Sequence, residues 1–435
     1  MKKHIVVLLV VLLAIGLFAC EKPEELEKTD PALVSTDTEL VIDNELVELL
    51  ETVTFSDGHI PLSSRSTYNY VVVNEVLYLY IDGGELYHLN TATGFLTGLC
   101  EDPLCEHKVV TCPNKKYKIN SAISCNDRIY VAGQQIVIDS KNNMKHEEFV
   151  GYYDVSSAEY VVLDSWEIVW GYGVAGPIQI YEDELYYLKK ESDTVNNLWK
   201  TSVNQKNRSK RLSLDNEEFI KGFLIKDDVI YYSYISGEAI YSVDMAFNNR
   251  QIVTTESMSI YTIIDDVLLG TNYGVYDPSN VEWDVEEYEP SDTPYEIFRL
   301  QMSDTEDKEI IVSHIQGASS VKIDHGIITT TPDNPTYLGM EVKNGEKIYY
   351  VNLNSGCVLV GMTSSDKLQT LDLSIGLGID YSVAGIYYID DDKCIVQFQA
   401  ENKETENEGI YIIKDYNDPQ NCTFHKISYE PYINE

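Results

Sequence analysis

Residues 74–80 read NEVLYLY, and this stretch decides the fold because related stretches return along the whole chain. It joins a polar turn to a run of aliphatic residues and tyrosines, which is typical of a strand that leaves a hairpin turn. The other copies share this order of turn and apolar strand: residues 126–131 (NDRIYV), 182–188 (EDELYYL), 226–232 (KDDVIYY), 265–269 (DDVLL), 324–328 (DHGII) and 384–389 (AGIYYI).

The spacing of these copies predicts the architecture. The step between their first apolar residues is shortest from Val229 to Val267, 38 residues, and longest from Val267 to Ile327, 60 residues. A second apolar strand often follows, as in residues 85–89 (ELYHL). A repeat of roughly 40–50 residues with about four strands is typical of a propeller blade. We therefore predict an all-β propeller over residues 66–435, with seven four-stranded blades and with six or eight as alternatives.

The competing architecture is a pair of β-sandwich domains. A sandwich does not need the same turn and strand seven times, so the repeat favours the propeller. No helical periodicity is sustained within the repeats. Tyrosine combines a high strand propensity with a polar tip. The 33 tyrosines are too many for one binding site, and most of them must therefore be structural.

The N-terminus predicts export. Lys2 and Lys3 precede an uncharged apolar run from Ile5 to Ala19. Since a membrane-spanning helix needs about 20 apolar residues, this shorter run favours a cleaved signal peptide over residues 1–19. Residues 17–20 (LFAC) resemble the lipobox of bacterial lipoproteins. The resemblance implies that Cys20 carries the lipid and anchors the chain to the outer face of the cell membrane; the alternative is an ordinary signal with a chance cysteine.

The segment between the lipid and the propeller, residues 20–65, is interpreted as the lipidated cysteine and a tether. Residues 21–37 are polar and acidic and contain two prolines, which is typical of a flexible linker. Residues 38–56 are more apolar. They favour either a short helix or an N-terminal strand.

The net charge limits the partners. With 71 acidic against 32 basic residues, the chain has a formal charge of −39. A field of this sign repels nucleic acid and anionic membrane surfaces, so we expect no nucleic-acid partner. The same charge is compatible with bound cations, with basic peptides or with solubility alone.

One cysteine-rich segment could carry chemistry. Cys100, Cys105, His107 and Cys112 lie within 13 residues, and Cys125 follows. Thiolates with an imidazole can form a tetrahedral zinc site, although the spacing differs from that of common zinc modules. Because thiols outside the cell usually oxidise, two disulfides among the four cysteines are the favoured interpretation, and zinc and reduced or mixed states are the alternatives. No cofactor is predicted; Zn²⁺ here, or Ca²⁺ at acidic turns such as residues 390–392, stays an alternative.

The repeats and the cysteine segment together resemble uncharacterised lipoprotein propellers of Gram-positive bacteria. The segment follows their pattern Cys-x-Asp-Pro-Leu-Cys-x-His, with a later Cys-Pro, over residues 100–113. These proteins are distantly akin to the propeller module of low-density-lipoprotein-receptor-related proteins, whose Tyr-Trp-Thr-Asp motif has no intact copy here. The resemblance implies a fold and a location, and it implies no activity.

The sequence assigns no catalytic residue. It contains no Gly-x-Ser-x-Gly elbow, no His-Glu-x-x-His and no phosphate-binding glycine-rich loop. The acidic insertion at residues 276–295 offers Trp283 and Tyr288 as a candidate ligand-binding loop, although a solvated insertion is the simpler interpretation. We predict a surface-anchored binding protein for a glycan, a peptide or an envelope protein. The alternatives are an extracellular polysaccharide hydrolase or lyase, and a structural component of envelope assembly.

Overall fold

The structure is a computed structural model. It describes residues 42–55, 70–81, 84–100, 112–168, 176–192, 195–205, 209–212, 219–234, 239–255, 259–264, 266–272, 295–314, 320–323, 326–329, 335–343, 346–353, 356–362, 368–372, 381–390, 392–400, 409–415 and 421–429.

Within these residues the strands form seven antiparallel meanders of four strands each, called the first to the seventh sheet in chain order. The fifth sheet is extended by one further hairpin. The first sheet contains β1 Tyr70–Val73, β2 Val76–Ile81, β3 Glu85–Asn90 and β4 Phe95–Gly98; the second β5 Tyr117–Cys125, β6 Arg128–Ile138, β7 Met144–Asp154 and β8 Glu159–Glu167; the third β9 Ile178–Tyr181, β10 Glu184–Lys190, β11 Asn196–Ser202 and β12 Lys210–Leu212; the fourth β13 Ile220–Lys226, β14 Val229–Tyr234, β15 Ile240–Asp244 and β16 Gln251–Thr254; the fifth β17 Ser259–Ile264, β18 Val267–Asn272, β19 Tyr295–Gln301 and β20 Asp304–His314, with β21 Ser320–Ile323 and β22 Gly326–Thr329; the sixth β23 Pro335–Lys343, β24 Glu346–Leu353, β25 Gly356–Met362 and β26 Leu368–Asp372; the seventh β27 Tyr381–Asp390, β28 Lys393–Ala400, β29 Gly409–Lys414 and β30 Thr423–Tyr429.

Two of the seven repeated sequence elements do not lie in a first hairpin: residues 326–328 of the sixth lie in β22, the last strand of the additional hairpin of the fifth sheet, and residues 384–389 lie within β27. The other five belong to the first hairpins of the first to the fifth sheet. In three of them both turn residues have positive φ: 51° and 63° at Asn74 and Glu75, 47° and 59° at Glu182 and Asp183, and 51° and 61° at residues 227 and 228. This is the geometry of a type I′ turn, whose twist matches that of the two strands it joins. The polar turn residues therefore end one strand and set the register of the next.

Neighbouring sheets pack face to face in chain order. Separate apolar cores join the first sheet to the second, the second to the third, the third to the fourth and the fourth to the fifth. At the second junction, for example, Tyr130 and Val150 of the second sheet meet Leu185 and Tyr187 of the third. This serial packing of small meanders confirms the predicted all-β propeller and excludes two sandwich domains.

The first and the seventh sheets meet. β30 pairs in parallel with β4 through Ser428 opposite Phe95 and Tyr429 opposite Leu96, so the first and seventh sheets are continuous. Tyr70 of the first sheet and Tyr387 of the seventh lie in one core, with ring centroids 4.4 Å apart. The junctions of the sixth sheet with the fifth and with the seventh sheet lie outside the described side chains. Seven blades in the ring therefore stay a prediction.

In the described part of the chain, two short helices accompany the sheets. The first, α1 Asn44–Glu51, begins at Asp43, whose carboxylate accepts hydrogen bonds from the backbone of Glu45 and Leu46. It buries Leu46, Leu49 and Leu50 in the core shared by the first and seventh sheets. The segment predicted as a tether therefore contains a packed helix, and of the two structures favoured for residues 38–56 the helix is found.

The second helix, α2 Pro113–Lys116, precedes β5. Over the part of the chain that the structure describes, neither helix combines the length and the apolar character that crossing a bilayer requires.

Candidate functional site

The hairpin of β6 and β7 is longer than the strands that flank it. β6 pairs with β7 from Arg128 opposite Asp154 to Ile138 opposite Met144. The flanking strands end earlier, β5 at Gln135 of β6 and β8 at Glu147 of β7. Residues 136–146 therefore extend past both neighbours, and we call them the arm.

Asp139 shapes the tip of the arm. One oxygen of its carboxylate accepts hydrogen bonds from the backbone N–H groups of Lys141 at 2.7 Å and Asn143 at 2.9 Å. The other oxygen accepts the side-chain amide of Asn143 at 3.0 Å. These bonds, first of all that of the Asn143 side chain, lower the pKa of Asp139 below its ordinary value. The one carboxylate of the arm is thus engaged in the turn.

One face of the arm is apolar and exposed. Ile136 pairs with His146 and Ile138 with Met144, so these four side chains lie on the same face of the hairpin. Ile138 is 46% exposed and Met144 is 62% exposed. Val137 and Lys145 occupy the other face. The arm thus places two adjacent apolar side chains in solvent.

The same face of the hairpin is buried below the arm. Tyr130, Ala132 and Val150 alternate with the arm residues in the same register and pack against the third sheet. Gly133 follows Ala132 on β6, and a Cβ added there would overlap the backbone oxygen of Lys118. Glycine at this position allows β5 to approach β6 closely. The base of the hairpin is therefore fixed, while none of the described strands flanks its end.

A buried carboxyl group lies at the foot of the arm. Glu148 is 2% exposed and lies opposite Trp166 of β8, which donates its indole N–H to Oε2 of Glu148 at 2.7 Å. Burial raises the pKa of Glu148, and the Trp166 hydrogen bond and the charge of Lys190 oppose this rise. This environment favours the neutral acid and holds Glu148 in a structural contact.

A second carboxylate links the second sheet to the third. Tyr187 donates its hydroxyl to Oδ2 of Asp164 at 2.6 Å, and Nζ of Lys189 lies 3.3 Å from the same oxygen. Burial first, and then the bond to Asp164, raises the pKa of the Tyr187 hydroxyl. Tyr187 therefore stays protonated and acts as a donor across the junction.

Two indole rings enclose the Lys189 ammonium. Its Nζ lies 4.8 Å from the ring centre of Trp166 and 4.5 Å from that of Trp199. The ring of Trp166 is also stacked on Tyr187, with centroids 5.7 Å apart. Cation–π contacts of this kind are strongest where water is partly excluded. Together with Glu148 and Asp164 these residues form the foot cluster, which supports the arm.

The predicted site residues are only partly described. Cys100 is half-buried after β4, Cys112 is buried immediately before α2, and Cys125 is half-buried at the end of β5. Cys105 and His107 lie outside the described residues. Among the residues that are described, no group of three or more His, Cys, Asp or Glu side chains is placed to hold a metal ion. Disulfides and zinc at this segment both stay predictions.

The other predicted sites, Cys20, Trp283 and Tyr288, also lie outside the described residues. The arm and the foot cluster were missed by the sequence analysis. A signal for the arm was present, since the apolar residues 136–138 (IVI) precede the polar run Asp-Ser-Lys-Asn-Asn, which is typical of a hairpin turn. The foot cluster had no such signal because Glu148, Trp166 and Lys189 come from three different strands.

Comparisons with known proteins show distant structural likeness only. No family model matches the chain, and no curated protein matches it. Among solved structures it is similar to a GH74 enzyme of Niastella koreensis, with 12% identity, 84% of this chain and 54% of that chain covered, and a TM-score of 0.49. It thus spans about half the length of that enzyme.

Two further structures resemble the chain. The β-propeller domain of the Trilobed protease from Pyrococcus furiosus has 9% identity, 74% of this chain and 98% of that chain covered, and a TM-score of 0.38. The nidogen/laminin complex has 8% identity, 70% and 93% coverage, and a TM-score of 0.36. At these values none of the likenesses carries an argument about function, and the fold is established by the sheet order described above.

Proposed function

We propose that this chain is an exported, lipid-anchored binding protein whose arm contacts a partner in the cell envelope. One observation carries the proposal: the arm extends past its sheet and presents Ile138 and Met144 to solvent on a firmly packed base. Isolated exposed apolar residues are common on protein surfaces, but two paired at the tip of a projecting hairpin form a contact point. The lipobox resemblance at Cys20 supports the location.

The foot cluster supports binding more than hydrolysis. A glycosidase needs two carboxyl groups that reach the scissile bond from either side. Glu148 is buried and bonded to Trp166, and Asp164 is held by Tyr187 and Lys189. The first contact joins two strands of the second sheet, and the second joins the second sheet to the third, so both carboxyl groups are engaged in structural contacts. Propellers serve many functions, so the fold by itself does not favour an enzyme.

Photo-crosslinking in cells tests the arm. A photoreactive amino acid at Met144 should give crosslinked products in the envelope fraction. The matched control is Ser157, an exposed residue of the turn between β7 and β8, at the other end of β7. Equal products from both positions, or products from neither, would contradict the proposal.

A double substitution tests which groups make the contact. Ile138→Ser with Met144→Ser should reduce the yield of crosslinks from a neighbouring probe at Ser140 by about tenfold, because the apolar contact is lost. Both side chains are exposed, so the melting temperature should stay within about 1 °C of the parent value. A large fall in melting temperature would instead show that the arm is part of the folding core.

Lipid attachment is tested separately. Cells fed a labelled fatty acid should incorporate the label into the chain, and Cys20→Ala should abolish it. Cys422→Ser serves as the control because it leaves the lipobox unchanged. Label that persists in Cys20→Ala would show that the anchor lies elsewhere.

A further inference from the structure

The arm differs in charge from the rest of the chain. Residues 136–146 contain Lys141 and Lys145, both exposed, and a single carboxylate, Asp139. That carboxylate accepts three hydrogen bonds within the turn. The whole chain has a formal charge of −39. The arm is therefore a locally basic, apolar point on an acidic protein.

We propose that the arm docks on a lipid bilayer that carries anionic headgroups, with Ile138 and Met144 entering the interface and Lys141 and Lys145 contacting the phosphates. The inference rests on the proposed function and names the partner of the same arm. Apolar burial combined with attraction to anionic lipids is how peripheral proteins bind membranes, and each part reinforces the other.

The size of the contact favours a bilayer over a protein. A stable protein interface buries about 800 Å² on each partner, which involves some 20 residues a side. Two apolar side chains at the end of a narrow hairpin cannot provide this area. Two residues are enough to add to a membrane contact that a lipid anchor already holds close, since tethering raises the effective concentration.

The negative charge of the sheets does not prevent this contact. The flanking strands end at the pair of Gln135 and Glu147. The pair of Ile138 and Met144 lies three residues further along the hairpin, which corresponds to about 10 Å. The screening length at physiological ionic strength is about 8 Å. The lysines thus reach the headgroups while carboxylates on the sheets are screened. The same charges repel other orientations, so the acidic sheets help to select the arm.

Fluorescence quenching tests the docking. The full chain, isolated with its native anchor, is placed in vesicles of phosphatidylcholine alone or with phosphatidylglycerol, in which the acyl chains carry bromine. A tryptophan introduced by Met144→Trp should be quenched in the anionic vesicles, after the signal of the unsubstituted chain is subtracted. A tryptophan introduced by Ser157→Trp is the control and should not be quenched.

The charge dependence gives the second readout. Removing one lysine, by Lys141→Gln or Lys145→Gln, should lower the ratio of docked to undocked protein roughly fivefold, the effect usual for one basic residue near an anionic surface. Lys210→Gln, an exposed lysine of the third sheet, should leave it unchanged. Far-ultraviolet circular dichroism checks that each variant is folded.

The outcomes separate the two proposals. Quenching in anionic vesicles that falls with either arm lysine supports docking. The docking proposal is overturned if the tryptophan of Met144→Trp is not quenched, or if its quenching is the same with and without anionic headgroups. If docking fails while crosslinking at Met144 in cells yields a protein or a glycan, the proposed binding function stands with another partner. If crosslinking also fails, both proposals are wrong.

Discussion

Two neighbouring sheet junctions differ in whether their buried side-chain amides are hydrogen-bonded. Between the third and fourth sheets, Asn196 pairs with both backbone groups of Ile220, donating to its oxygen at 2.8 Å and accepting from its N–H at 2.6 Å. Gln179 does the same with Ile225, at 2.7 Å for each bond. Each amide thus pairs with both backbone groups of a residue of β13, the edge strand of the fourth sheet.

The junction between the second and third sheets, below the arm, is different. Asn197 follows Asn196 in the chain and faces the other way because strand residues alternate. It is 0% exposed, and among the described residues neither polar atom of its amide has a hydrogen-bond partner. Oε1 of Glu148 is likewise buried without a hydrogen-bond partner among the described residues. A buried amide therefore stabilises a junction only when a backbone group of the next sheet lies in register with it.

The largest expected effect separates the two asparagines. Asn196→Ala should lower the free energy of unfolding by about 2–4 kcal/mol, because it leaves the N–H and C=O of buried Ile220 unpaired. Asn197→Ala should change it by less than about 1 kcal/mol, since no such bond is lost. Urea unfolding at neutral pH measures both. Equal losses for the two variants would remove the distinction between the junctions.

A smaller and pH-dependent effect is expected at Glu148. Burial raises its pKa in the folded chain above the ordinary value of about 4.3 that the unfolded chain retains. Between these two values the folded state binds more protons than the unfolded state, so the stability that protonation supplies is lost as pH rises. The variant Glu148→Gln keeps an oxygen for Trp166 and does not titrate.

The gain in melting temperature from Glu148→Gln over the parent chain should therefore increase with pH and level off once the parent group is ionised. Melting curves from pH 4 to pH 8 measure this gain. Lys190→Gln removes a charge that opposes the rise of the Glu148 pKa. In a chain that carries Lys190→Gln, the gain from Glu148→Gln should therefore increase more steeply with pH. A gain that is constant over this range would show that the environment of Glu148 does not shift its pKa.

The smallest effect is expected at the rim of the better-paired junction. Tyr181 donates its hydroxyl to Asp228 at 2.7 Å and accepts the backbone N–H of the same residue at 3.0 Å, but both bonds are exposed. Tyr181→Phe should therefore cost about 0.5 kcal/mol, since water replaces the lost partner. Urea unfolding beside Asn196→Ala measures it. A loss as large as that of Asn196→Ala would show that the rim and not the buried amides holds this junction.

The repeats made the fold class predictable. The turn residues at positions 74–75, 182–183 and 227–228 act locally, through positive φ and a two-residue turn, and the strands that follow alternate in a way the sequence displays. The sequence did not distinguish a helix from a strand at Asn44–Glu51, because the burial of its three leucines depends on the core that they contact.

The candidate site was less predictable for a related reason. Residues 136–146 form an arm because the pairing of β5 and β8 with the hairpin ends before them. The sequences of β5 and β8 do not mark where this pairing ends. The pairing of Glu148 with Trp166, and of Asp164 with Tyr187 and Lys189, joins residues about 20 positions apart in different strands.

By itself the sequence determined a repeated all-β chain with a strongly acidic surface, because turn chemistry, strand alternation and charge are properties of neighbouring residues. Only the tertiary structure decided that, within the described residues, the side chain of Asn196 is paired and that of Asn197 is not. It also decided that Ile138 and Met144 reach solvent while Tyr130 and Val150 on the same face are buried. The reason is physical: hydrogen bonding and burial depend on what the next sheet places opposite a residue, and that partner comes from a distant part of the chain.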